Sequence, residues 1–310
     1  MQQAKFSALA LALTCFAASA SAQAPAAPAA THSRGMAEIL AASPASDWRP
    51  LDPNNTLYLE LPAGRVVMEL APGFAPLHAA NIRTLAKEKY FDGLAVIRAQ
   101  DNYVVQWGDP DEDEATARKF GSAKAKLPPE FTAPIGPATP FSRLADADGY
   151  APQVGFSNGF PAGRNPKTGQ TWLTHCYGAV GVARGNEPDS GNGSGLYVII
   201  GHAPRHLDRN IAVVGRVVQG IELLSSMPRG TGPLGFYEKP EQRTTIKSIR
   251  LASEVPVAER SNLEVIRTDS ATFAAVADAR RNRHDDWYIA PAGYIELCNV
   301  AIPVRPVKHL

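Results

Sequence analysis

"AVIRAQDNYVVQWGDP", residues 95–110, decides the reading of this chain. It begins as a strand, with Val96 and Ile97 apolar, and a cation, Arg98, interrupts it. A polar turn, Gln100-Asp101-Asn102, follows. Tyr103, Val104 and Val105 resume the apolar run, Gln106 interrupts it, and Gly108-Asp109-Pro110 breaks it. Even spacing on an extended chain puts Arg98 and Gln106 on one face, provided the turn keeps the register. Such a face either hydrogen-bonds a ligand or is the ordinary polar side of a half-exposed sheet. These sixteen residues alone leave both open.

The rest of the chain narrows the choice. Its 310 residues are 45% apolar and carry a formal net charge of +1. That is globular composition, enough for one large domain or two. Near-neutral charge gives no electrostatic reason to expect nucleic acid as a partner. The 26 prolines and few helix-period segments favour a β-rich fold with long loops.

Residues 1–22 read as a cleavable export signal. Lys5 is the positive start, "FSALALALTCFAASA" the short apolar run, and Ala20-Ser21-Ala22 the small-residue cleavage site. A periplasmic or secreted protein is expected. The apolar run is short for a bilayer and nothing later replaces it, so no membrane association is expected after cleavage. "QAPAAPAATHSR" opens a flexible Pro/Ala-rich linker assigned to 23–50. The mature chain keeps two cysteines, Cys176 and Cys298. An even pair in an oxidising compartment predicts a disulfide.

"NTLYLELPAGRVVMEL" is a hairpin, with Leu57, Leu59 and Leu61 alternating before the Pro62-Ala63-Gly64 turn and Val66, Met68 and Leu70 after it. "APLHAANIRTLAKEKYF" is a helix with Pro76 in its first turn and an apolar stripe of Ala79, Ile82, Leu85 and Ala86. Residues 110–175 read as one long loop with at most one or two short strands. Loops of that length are usually functional or disordered. Strands resume at "GAVGVAR", "LYVIIG" and "IAVVGRVVQG". A short helix, "IELLSSM", and a closing strand, "TTIKSIRLAS", follow. From about residue 256 a separate unit carries a strand, "LEVIRT", a helix capped by Asp269 or Ser270, and a β-like "GYIELCNVAIPV". Antiparallel strands with two helices suggest a closed barrel.

Two other stretches offer chemistry and lose to plainer readings. "SGNGSG", residues 190–195, lacks the Lys-Ser/Thr of a phosphate loop and precedes a strand instead of following one, so it reads as a flexible loop. "GHAPRHLD" holds His202, His206 and Asp208, but Pro204 excludes a regular helical ligand spacing. No metal and no cofactor are expected.

The stretch "YFDGLAVIRAQDNYVVQWGDP" resembles the cyclophilin family of peptidyl-prolyl cis-trans isomerases. The family's frame is Phe/Tyr-x-Asp-Gly, Phe-His-Arg, a Pro-Gly turn, then Phe-Met-x-Gln-Gly-Gly-Asp, and this chain matches it without a gap. "GRVVMELAPGFAPLHAANIRTLAKEKYFDG" upstream and "GAVGVARGNEPDSGNGSGLYVII" and "HLDRNIAVVGRVVQGIELLSSM" downstream extend the resemblance to about 56–252. It implies Arg98 as the catalytic arginine with Gln106 beside it. It also implies a substrate pocket of Tyr103, Val104, Ala183, Arg184, Tyr197, His206, Leu207 and Ile211. The implied fold is a mainly β, closed antiparallel barrel of eight strands capped by two helices, over 51–255. The 110–175 loop is then an insertion and 256–310 a small α+β extension packed on the barrel. The implied partners are proline-containing unfolded or extended polypeptides, met by a monomer.

The chain departs from the pattern. The family's histidine before the arginine is Ile97, its turn Pro-Gly is Asp101-Asn102, the glutamine of its Ser-Gln-Phe-Phe is Gly195, and a pocket histidine is Ile211. An exported isomerase assisting folding is the reading the retained Arg98 and Gln106 support. The lost polar groups support an alternative, a cyclophilin-fold peptide-binding chaperone or interaction module with little or no turnover.

Overall fold

The structure is a computed structural model that describes residues 34–111, 115–283 and 287–307. The signal at 1–22 and the first part of the linker lie outside the described residues. In chain order the elements begin with α1 (Met36–Ala41), β1 (Trp48–Pro50), the hairpin β2 (Thr56–Leu61) and β3 (Gly64–Leu70), α2 (Pro76–Lys87), β4 (Ala95–Ala99) and β5 (Val104–Gly108). Next come β6 (Ala133–Pro134), β7 (Ser142–Leu144), β8 (Gln153–Ser157), β9 (Phe160–Asn165) and β10 (Gln170–Leu173). The chain continues with β11 (Ala179–Val182), β12 (Leu196–Ile199), β13 (Val213–Gln219), α3 (Ile221–Ser225), β14 (Thr244–Thr245) and β15 (Ser248–Leu251). It closes with β16 (Leu263–Ile266), α4 (Ala271–Arg281) and β17 (Val304–Pro306).

The main sheet is antiparallel with the order β14-β4-β5-β12-β11-β13-β3-β2-β15. Period-2 alternation does what the sequence asks: Leu57, Leu59 and Leu61 of β2 and Val66, Met68 and Leu70 of β3 all enter one core. Val105, Trp107, Val180, Val182, Leu196 and Val198 meet them there. The α2 stripe of Ala79, Ile82, Leu85 and Ala86 covers this core, and α3 adds Leu224. Each fully buried Leu or Ile stabilises the fold by about 1.5–3 kcal/mol.

The expected closed barrel of eight strands is corrected to an open order of nine. The reason lies in one run of chain that changes partners. Thr244 and Thr245 pair with Val96 and Ala95 at one rim, and Ser248–Leu251 pair with Glu60–Leu57 at the other. Between them, Ile246 N–H donates to Leu94 O (2.7 Å) and Lys247 N–H donates to Glu60 O (2.9 Å). The two rims are therefore joined by the covalent chain and not by a ladder of their own.

Residues 110–175 are also corrected. The expected loop holds a second antiparallel sheet, β6-β10-β9-β8-β7. Its central hairpin turns at Asn158-Gly159, both at positive φ (50° and 88°), with Ser157 paired to Phe160. That is the two-residue turn whose twist suits a hairpin.

The linker expected over 23–50 does not hold for 34–50. Arg34 to Pro50 contain α1 and β1, and β1 pairs antiparallel with β16 in a third sheet, β1-β16-β17. Trp48 fixes this end: it packs with Phe156, Trp172, Ile266 and Phe273 in a second apolar cluster. Ser270 caps α4, its Oγ accepting from Phe273 N–H at 3.1 Å. The β-like 293–304 segment is mostly not strand. It makes a 3-10 turn at Leu297–Asn299, and only Val304–Pro306 pairs. Pro303 cannot donate to a ladder, and Cys298 in that turn is bonded to Cys176, with an S–S distance of 2.06 Å and Cα atoms 5.0 Å apart. The bond ties the C-terminal region to the chain just before β11.

Candidate active site

Strands β4 and β5 are paired so that Arg98 stands directly opposite Gln106, with the register shifting between Val96 and Arg98. The extra residue of that bulge is Ile97. Directly opposed residues of an antiparallel pair project from the same face. The turn between the strands needs one left-handed residue, and Asn102 supplies it at φ 49°; asparagine tolerates that region better than most side chains.

The Arg98 guanidinium is held on three sides. Nη1 donates to Gln106 Oε1 at 3.2 Å, Nη2 donates to Gln100 Oε1, and Nε donates to Leu234 O at 2.7 Å. Tyr103 and Phe236 flank it, their ring centres 5.6 and 5.3 Å from its central carbon. Burial lowers its pKa, with Tyr103 acting in the opposite direction. A guanidinium has five N–H donors. Three are committed, which leaves one on each Nη for a ligand.

Leu234 and Phe236 belong to a loop that runs along the outer edge of β4. Gly230 N–H donates to Ala99 O and Tyr237 N–H to Ile97 O, both at 3.0 Å. The position of this loop is not legible in the chain. Its glycines and prolines mark a turn, but nothing in "RGTGPLGFYEKP" says which strand it closes on.

Of the other expected pocket residues, five come together. Val104 and Tyr197 are buried in one apolar cluster, and Tyr103, Ala183 and Ile211 pack against it half-buried. Leu207 and His206 are not part of that cluster. They sit on a 3-10 turn at Arg205–Leu207, Leu207 half-buried and His206 exposed. Arg184 is tied to its own loop through the carbonyls of Gly185 (2.7 Å) and Asn186 (3.1 Å), and it donates to Asn210 O (3.0 Å) in the segment before β13. The same apolar cluster contains Phe160 and Ala162 of β9 and Leu173 of β10, with Phe141 against it. The inserted sheet thus borders the candidate pocket.

Behind the pocket lies a buried polar chain that the sequence did not reveal. Tyr197 Oη and His175 Nε2 are 2.8 Å apart, and His175 Nδ1 and Asp208 Oδ1 are 3.0 Å apart. Arg205 Nε donates to Asp208 Oδ2 at 2.6 Å, and its two Nη atoms donate to Asp148 at 2.9 and 3.1 Å. Burial pushes the Asp208 carboxyl upward, but the bonds from His175 and the Arg205 charge outweigh it, and the net shift is downward. Asp208, near His202 and His206 in sequence, does not form a ligand group with them. Its carboxylate is instead shared between His175 and Arg205.

Among the described residues no helix is long and apolar enough to cross a membrane.

The family model described as cyclophilin type peptidyl-prolyl cis-trans isomerase matches residues 56–251. A probable peptidyl-prolyl cis-trans isomerase of Brucella suis is 28% identical over 187 residues, covering 58% of this chain and 74% of that protein. The human peptidyl-prolyl cis-trans isomerase-like 1 is 25% identical over 218 residues, covering 70% of this chain and 99% of its own. The crystal structure of the cyclophilin AquaCyp293 from Hirschia baltica superposes with a TM-score of 0.64 at 26% identity. It covers 84% of this chain and 95% of its own.

Proposed function

The chain belongs to the cyclophilin-type family of peptidyl-prolyl cis-trans isomerases, and on that basis we propose that it works outside the cytoplasm, turning prolyl bonds of unfolded or extended polypeptides with Arg98 as its catalytic residue. The single observation that carries the mechanism is the held guanidinium with two N–H groups to spare, above a cluster of Tyr103, Val104 and Tyr197.

The chemistry asks for little else. Partial double-bond character in the amide C–N sets a rotation barrier of about 18–20 kcal/mol. As the bond twists, conjugation is lost and the prolyl nitrogen becomes pyramidal, with a lone pair that can accept a hydrogen bond. The free Nη donors of Arg98 offer that bond without changing protonation state. Tyr103, Val104 and Tyr197 provide the apolar slot for the pyrrolidine ring. Gln106, Gln100 and Leu234 O fix the guanidinium, so little reorganisation is needed when the amide twists.

Two features support export. The first 22 residues have the pattern of a cleavable signal, and Cys176 and Cys298 are joined as suits an oxidising compartment. The sheet inserted after β5 supports a restricted choice of substrate, since its Phe160 and Phe141 share the cluster of the slot. The test is an isomerisation assay on a proline tetrapeptide, with fractionation of the cells that make the protein. Activity in the exported fraction is expected. Activity confined to the cytoplasm would refute the location.

A further inference from the structure

We propose that His175 is a positioning residue for the prolyl slot, locking the Tyr197 ring through its hydroxyl and coupling slot and rim to the inserted sheet. The inference rests on the isomerase reading of the same pocket.

The acceptors around His175 fix where its proton sits. Asp208 has its pKa lowered and is an acceptor. It takes the His175 backbone N–H at 2.9 Å and faces Nδ1 at 3.0 Å. Nδ1 therefore carries the imidazole proton and Nε2 is left as an acceptor. The Tyr197 hydroxyl must then donate to Nε2. Burial raises the Tyr197 pKa, which keeps it in the neutral, donating form. Tyr197 thus has one satisfied orientation, with its ring nearly parallel to the imidazole at an interplanar angle of 9°.

The chain of bonds then reaches both sides of the slot. Arg205 begins the turn that carries His206 and Leu207, and its guanidinium is clamped between Asp208 and Asp148. Asp148 lies between β7 and β8 of the inserted sheet, and His175 follows β10. Every member except Asp148 is buried, His175 completely. A buried polar chain of this kind fixes geometry when complete and is costly when broken.

The slot holds the pyrrolidine ring in ground and transition states alike, so disturbing it weakens binding more than turnover. Calorimetric titration of the full-length protein with a proline tetrapeptide reads this directly. His175→Leu should weaken Kd on the order of tenfold, with stoichiometry near that of wild type. Tyr197→Phe on the His175→Leu background has no hydroxyl left to lock, so the double variant should bind as weakly as His175→Leu alone. A role confined to folding would lower the stoichiometry and leave Kd alone. The proposal is overturned by a folded His175→Leu that binds like wild type, or by a double variant that regains wild-type affinity, which would trace the single variant's loss to a buried orphan hydroxyl. If His175→Leu does not fold, Tyr197→Phe alone decides: a weakened Kd supports the lock and an unchanged Kd overturns it. A wild type that binds peptide without turnover would sink the isomerase reading while Kd still judges the lock. A wild type that does neither overturns both.

Discussion

Arg98 and Gln106 face each other across β4 and β5, with Nη1 of the first 3.2 Å from Oε1 of the second. The contact orients a charge and leaves two of its donors free. Gln106→Leu should therefore lower kcat/KM only about tenfold, because Gln100 and Leu234 O still hold the guanidinium. Arg98→Lys should lose most of the activity, since a point charge cannot occupy three acceptors in one plane. Steady-state kinetics of the two variants would show this order. The reverse order would mean that Gln106, and not the guanidinium, meets the substrate.

Gly235→Ala tests the loop that braces Arg98. Gly235 has φ 78°, and an added Cβ would lie 2.6 Å from the Gln100 Cα. Backbone cannot yield as a side chain would, so the loop should lift and take Leu234 O from Arg98 Nε. A several-fold fall in kcat/KM is expected, with a Tm loss of a few degrees. Wild-type kinetics would show that the brace contributes nothing.

Much of this site could be read from the chain, and the missing parts have identifiable causes. The frame from Arg98 to Gln106 is contiguous, so the resemblance to the cyclophilin pattern exposed it, while spacing alone left both readings of that face open. The β2–β3 hairpin and α2 carry long, clean periodicities. The inserted sheet does not: β6 has two residues and β7 three. Its β8–β9 hairpin did carry a signal, Asn158-Gly159 between apolar segments, which the surrounding glycines and prolines masked. His175 could not be found by spacing, because its partners Tyr197 and Asp208 are 22 and 33 positions away. The switch of Ile246-Lys247 between two rims is likewise invisible to periodicity.

Cys298→Ser should lower Tm without changing kcat/KM. The disulfide spans 122 positions, for which the chain-entropy account gives about 4–5 kcal/mol. Cys176 adjoins His175, but His175 keeps its own bonds to Asp208 and Tyr197. Thermal unfolding and kinetics on one preparation check this. An unchanged Tm would show that the bond does not hold the C-terminal region.

Acid should weaken the fold through the ion-paired carboxylate of Asp146. Bonds from Arg281 lower the Asp146 pKa, with burial opposing, from an ordinary value of 3.8. A folded-state pKa below the unfolded one stabilises the fold above about pH 4 and is lost as pH falls through the lower value. Asp146→Asn should cut Tm at pH 6 and flatten its decline toward pH 2. Parallel curves for the two proteins would remove Asp146 from the account.

The most direct measurement is the rate of cis-trans exchange in a proline tetrapeptide, catalysed by wild type and by Arg98→Ala under identical conditions. Turnover by wild type is expected, with a loss on the order of 10²–10³-fold in the variant and peptide still bound in the slot. An active wild type whose Arg98→Ala variant keeps most of that rate would contradict the catalytic role of Arg98.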